Sequence, residues 1–153
     1  MDEMLRAMFY VDKVLKDTKI ARPAGIKDCV SDTCLDTLES PFARTSKERA
    51  IANLEGFRRL YLGGLDPESG VGFDDLLRDR GAADLADEIL ADTEAAIAAL
   101  EAVEGTFYDA LLADGSALDG AHAAVVEITD DLKGDFPVIL MLNIPTEAAG
   151  DAD

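Results

Sequence analysis

At 153 residues the chain is long enough for one domain with one sizeable core, and 48% apolar with 30% charged residues places it among globular rather than disordered chains. Its net charge of −18 is lopsided: residues 1–62 hold 11 Lys and Arg against 10 Asp and Glu, whereas residues 63–153 hold 3 against 22. Phosphate contacts need a basic face, so nucleic acid is excluded as a partner; anionic membrane surfaces repel the second part, whose acid reads as a solvated face.

The opening MDEMLRAMFYVDKVL is amphipathic and carries Asp2 and Glu3, unlike the basic n-region and apolar run of a secretory leader. The apolar run FPVILML at 136–142 is too short to span a bilayer, so no transmembrane segment is expected. On these grounds the chain is either cytoplasmic or a piece of a longer secreted protein.

The pattern predicts a first helix over about residues 2–18, with Met4, Met8, Val11 and Leu15 on one stripe, widened by Leu5 and Phe9. Pro23, Gly25 and the cysteine segment break it. A loop then runs to about Thr45, long for a compact domain and so a candidate functional segment. Thr45 and Glu48 have the spacing of a capping box for a second helix, with core stripe Ala50, Leu54, Phe57 and Tyr61 and a stop at Gly63-Gly64. A turn at 65–72 leads to a short helix over Phe73–Arg80.

The longest helix is expected from about Ala82 to Val103, lined by Leu85, Ile89, Ala96, Leu100 and Val103, and continuing with a bend at Gly105 through Phe107 and Leu111 to Ala113. Ser116 and Asp119 resemble another capping box, before a last long helix over 117–133 with stripe Leu118, Ala121, Val125, Ile128 and Leu132. Residues 136–142 are expected to pack across the bundle end, and 146–153 to form a loosely ordered acidic tail. The fold class is thus all-α: an antiparallel up-down bundle of four long helices plus one short helix, one unit over residues 1–145.

Chemistry-bearing residues gather between Lys19 and Gly64. Cys29 and Cys34 form C-x4-C; a small-loop disulfide in an oxidising compartment, a pair of free thiols and a metal site are the readings, the last short of ligands because two thiols do not complete a tetrahedron. Glu39, Ser40, Arg44, Ser46 and Asn53 lie in the long loop and the first turns of helix two. Helix N-terminal amides there favour anions, while Glu39 can bind a cation or accept a proton; the competing reading is capping and loop hydrogen bonding. His122 is the sole histidine. Its neighbours Asp119 at i−3 and Glu127 at i+5 do not make a two-ligand face, and it reads as structural. Asp74-Asp75 and Asp130-Asp131 lack EF-hand spacing and read as solvated.

The segments DKVLKDTKIARPAGI (12–26), ESPFARTS (39–46), IANLEGFRRLYLGG (51–64), GVGFDDLL (70–77) and LKGDFPVILMLNIP, with a closing AGDAD, resemble the C-terminal half of the imelysin family, the M75 peptidase-like proteins. The resemblance implies two packed helical bundles in a periplasmic or outer-membrane-attached protein linked to iron uptake, with peptidase activity as the named function. The family's G-x-H-x-x-E motif belongs to the first bundle. Here Gly120-Ala121-His122 begins like it, but Val125 stands where Glu is required, on a helix of the second bundle, so independent catalysis is not implied. What carries over is a polar face: Glu39, Ser40 and Ser46, with Arg44 and Asn53 beside them. The implied function is a binding module sharing a ligand, iron or other divalent-metal site with an N-terminal bundle absent from this sequence. A metallopeptidase domain and a purely structural bundle are the rivals.

Overall fold

The computed structural model describes residues 2–64 and 70–143, and their regular structure is entirely helical. In chain order the elements are α1 (Asp2–Met8), a π-helix (Val11–Ala21), a single 3-10 turn (Leu35–Thr37), α2 (Ser46–Tyr61), α3 (Phe73–Asp79), α4 (Ala83–Ala102), α5 (Phe107–Ala113), α6 (Asp119–Lys133) and α7 (Asp135–Leu140). The four long elements close a ring: the π-helix packs on α2 and α6, α2 on α4, and α4 on α6. Apolar stripes face inward around that ring. Ala50, Leu54, Phe57 and Tyr61 of α2 meet Ile89, Ala96 and Leu100 of α4 and Ala121, Val125, Ile128 and Leu132 of α6 in one buried core. Buried Thr93 and Thr129 lie among them, their hydroxyls donating to the carbonyls of Ile89 and Val126 at 2.7 and 2.9 Å, so burial leaves no unmade bond.

Three expectations from the pattern are corrected. The first helix is not one α-helix to residue 18. It changes at Phe9–Tyr10 into the π-helix, where wider turns close bonds such as Arg22 N–H to the Asp17 carbonyl at 2.9 Å. Inward positions there come as adjacent pairs, Val11–Asp12, Leu15–Lys16 and Ile20–Ala21, while Met4 of the expected stripe is 46% exposed. The helix ending at Ala102 does not run on to Ala113. Gly105 takes a φ of +67°, and Thr106 starts α5 anew, its hydroxyl oxygen accepting the Asp109 amide at 3.1 Å. The short helices thus include α1, α3, α5 and α7 rather than one.

The two predicted capping boxes also fail in detail. Thr45 is the N-cap of α2 but accepts no amide hydrogen bond there, and Ser116 closes a turn on Asp114 at 2.7 Å instead of capping α6. The run expected across the bundle end forms α7, whose Phe136 is fully buried and tilts against Phe73 at 5.6 Å between ring centres. The expected tail, 146–153, lies outside the described residues.

Between the π-helix and α2 the chain is irregular but anchored. Ala24 and Leu38 are buried, the Cys34 amide donates to the Pro23 carbonyl at 2.9 Å, and Cys29 and Cys34 are joined as a disulfide with Cα atoms 6.0 Å apart.

Candidate functional site

The loop and α2 place Glu39 and Asn53 on either side of a residue that the pattern did not single out, Lys19. Its ammonium nitrogen lies 2.7 Å from Asn53 Oδ1 and 3.1 Å from Glu39 Oε1. The same nitrogen stands 5.2 Å from the centre of the Tyr10 ring, within cation–π range. Four separate stretches of chain therefore converge: the end of the α1 segment, the π-helix, the loop and α2. The Lys19 side chain is 11% exposed and that of Glu39 30%, so the group sits at the protein surface with its charges largely shielded from water. An isolated Lys carries no motif; the signal for Lys19 in the sequence is its place four residues before Pro23, at the mouth of the loop.

The remaining predicted site residues divide. Ser46 is buried and its Oγ accepts the Ser40 amide at 3.1 Å, which ties the loop to the start of α2 in the capping-like way that Ser commonly does. The Arg44 amide closes the same turn on the Ser40 carbonyl at 2.7 Å, with φ at +55°. Its guanidinium, however, turns to α5: it lies 2.6 Å from Asp109 Oδ1 and 4.6 Å from the centre of the Tyr108 ring. There it borders a surface cavity of about 610 Å³ lined also by Leu35, Asp36, Pro41, Phe42 and Tyr108. Glu39 and Asn53 are joined through Lys19, Ser40 and Ser46 to each other, and Arg44 faces away from both groups.

A second charged cluster depends on the π-helix, which no motif in the sequence announces. Asp12 and Lys16 are fully buried, and Asp17 nearly so. Lys16 Nζ lies 3.1 Å from Asp12 Oδ1 and 3.6 Å from Asp17 Oδ1; Lys133, from α6, lies 3.0 Å from Asp12 Oδ1; and Lys27, from the loop, lies 3.1 Å from Asp17 Oδ2. Heptad reasoning puts Asp12 and Lys16 beside the stripe, not under it. The wider π turn rotates them in.

The acidic face is less uniformly solvated than the charge pattern implies. Asp75 Oδ2 accepts the Gly72 amide at 3.0 Å and starts α3, while Asp74 is half-buried, its carboxyl pushed up by burial and then by Asp75. Between α4 and α6, Asp131 is half-buried, and its carboxyl is pushed up to about 6 by burial and then by Glu88, Asp92, Glu127 and Asp130. In the unfolded chain that group ionises near 3.8, so between the two values the folded state holds the extra proton. Stability therefore falls as pH rises through that window and levels off above it. Asp131→Asn removes this part of the slope and raises the melting temperature at neutral pH; thermal melts across the window check it, and an unchanged slope refutes the assignment. Among the described residues no group of three or more His, Cys, Asp or Glu side chains is arranged to hold a metal ion.

The family model described as Imelysin (Peptidase_M75) matches residues 1–132. No curated protein and no solved structure matches the chain.

Proposed function

The chain belongs to the imelysin family, and from that premise we propose that it is a binding module whose Glu39–Asn53 face contributes to a ligand or iron-related metal site completed by a second bundle. The observation that carries this reading is the convergence of Glu39 and Asn53 on one partly shielded cation, Lys19, from segments far apart in sequence. A carboxylate and an amide oxygen held side by side are oxygen donors of the kind that bind hard cations or orient polar ligands. One carboxylate does not make a metal centre, and a family site built between two bundles would supply the other ligands from the partner. Ser40 and Ser46 act in this reading as the hinge that holds Glu39 at the start of α2, and Arg44 as part of the neighbouring rim.

Two further observations support a partner bundle in an oxidising compartment. Val30 and Phe42 are fully exposed, and Val71, Val138 and Met141 largely so, which is apolar surface that a second bundle would cover. The Cys29–Cys34 disulfide suits a periplasmic or otherwise extracytoplasmic setting. Among the described residues no helix is long and apolar enough to cross a membrane.

The test is calorimetric titration of ferrous and ferric iron into this chain, alone and mixed with the first bundle of an imelysin-family protein carrying G-x-H-x-x-E. Uptake by the mixture, weakened about tenfold or more by Glu39→Ala with the fold intact, is the expected result, since a charge-assisted contact carries that much. No uptake, with Glu39→Ala changing stability alone, leaves a structural bundle. Chelator-sensitive cleavage of a protein substrate by the chain itself would replace the binding reading with the metallopeptidase one.

A further inference from the structure

The surroundings of Lys19 are those of a recognition site already filled by the protein's own side chain. Three chemically different groups address one nitrogen: the Asn53 carbonyl oxygen at 2.7 Å, the Glu39 carboxylate at 3.1 Å and the face of Tyr10 at 5.2 Å. A carboxylate supplies charge, an amide oxygen supplies direction, and an aromatic face supplies a surface that attracts cations without a competing proton. Together they suit an ammonium group, since the ring attracts a cation but offers no lone pair, whereas a metal ion at this face would meet the two oxygens alone. A half-buried lysine of α2 makes the contrast: Lys47 Nζ donates to the backbone carbonyl of Val103 at 3.0 Å. The cage is also reachable, since Tyr10 is 39% exposed and the Glu39 side chain 30%.

We propose that Glu39, Asn53 and Tyr10 form a primary-ammonium site, that Lys19 fills it as a built-in occupant, and that an amine or a peptide amino group is admitted by exchange with Lys19. This rests on the reading of the Glu39–Asn53 face as a binding face and gives it a ligand class. Exchange is chemically balanced: one ammonium leaves the carboxylate for water as another arrives, so the face keeps its charge and the partly shielded Glu39 carboxylate keeps a cation. Lys19 is a gate in this arrangement. A ligand must supply the same N–H donors and cover the same ring to displace it, which selects against quaternary amines and against anions.

The experiment follows the Asn53 side-chain amide by 1H–15N NMR while methylammonium chloride is added to wild type and to Lys19→Met, Lys47→Met and Lys19→Met/Glu39→Gln. Lys19→Met is expected to show a saturable shift, weakened about tenfold or more when Glu39 is also neutralised. Lys47→Met gives no response beyond that of wild type, and tetramethylammonium gives none in any variant. In wild type the Lys19 Cε resonance moves toward that of a solvated lysine as methylammonium is added. Glycinamide run in parallel separates the sources, tighter binding than methylammonium marking a peptide amino terminus and weaker binding a simple amine or a lysine side chain. A Lys19→Met protein with native circular dichroism and no saturable shift overturns the proposal, as does an equal response in Lys47→Met. If Lys19→Met and Lys19→Ala both lose the fold, Lys19 is a structural brace and the proposal fails. None of these outcomes depends on iron uptake, so the ammonium site and the shared metal site stand or fall separately.

Discussion

Asp12→Ala is expected to lower the unfolding free energy by about 3–5 kcal/mol, the usual cost of removing one partner from a buried ion pair. Asp12 is fully buried, and its Oδ1 receives Lys16 at 3.1 Å and Lys133 at 3.0 Å. Deleting the carboxylate removes the shared partner of two ammonium groups, one of them, Lys16, beneath the surface, where Asp17 lies 3.6 Å away. The loss comes from the desolvated charge whose pairing is weakened more than from the attraction itself, so a double variant is informative. Asp12→Ala with Lys16→Met should cost less than the two single changes added together, with a coupling of roughly 0.5–3 kcal/mol. Urea denaturation followed by circular dichroism measures all three. Additive single effects each below about 1 kcal/mol would mean that the cluster is not coupled in the way its geometry implies.

The second large effect is at Gly25. This residue holds a φ of +78°, and a Cβ built there would stand 2.1 Å from the Asp32 carbonyl oxygen and 2.7 Å from the Asp32 carbonyl carbon. Both obstacles are backbone, so no side chain can swing aside. Gly25→Ala combines the left-handed penalty for an L-residue, roughly 1–2 kcal/mol, with overpacking of roughly 1–3 kcal/mol, and a total near 2–4 kcal/mol is expected by denaturant titration. The consequence is local as well as global. Asp32 belongs to the Cys29–Cys34 loop, which leads through Leu35–Thr37 to Glu39. A displaced loop therefore pulls Glu39 from Lys19, and the Asn53 side-chain amide resonance should move in the variant without any change at Asn53. Gly81→Ala is the control: its φ of +80° is as strained, but nothing lies within 4 Å of its Cβ position, so it should show the backbone penalty alone and leave Asn53 undisturbed.

Helix identity and the inward stripes were legible because 3.6-residue periodicity is a local property of a chain packed on one side. The stripe Ala50, Leu54, Phe57 and Tyr61 is buried as the pattern predicts, and so is Leu118, Ala121, Val125, Ile128 and Leu132. Failures occur where the backbone leaves that period. Nothing in DKVLKDTKIA announces π-turns, because one extra residue per hydrogen-bonded ring is selected by what packs around it and not by side-chain preference. The break after Ala102 was half visible in Gly105, but Thr106 as a fresh cap competes with a continued stripe only once Phe107 and Leu111 have a partner to pack on.

The site shows the same division. Glu39, Ser40, Arg44, Ser46 and Asn53 could be nominated from residue type and from their place in a long loop entering a helix. Which of them meet could not. Glu39 and Asn53 are 14 positions apart in sequence and are brought to one nitrogen by Lys19 from a third segment, whereas Arg44, only five positions from Glu39, is carried off by Asp109 and Tyr108.

What the amino-acid order determined alone is the class of fold, the family and the pool of candidate residues, since those rest on periodicity, composition and local motif. What the tertiary structure decided is long-range pairing: Lys19 with Glu39 and Asn53, and Asp12 with Lys133. Charges separated by tens of residues have no preferred partner in an unfolded chain. They acquire one only when packing of the apolar stripes sets distances of about 3 Å, at which hydrogen bonds and ion pairs take hold.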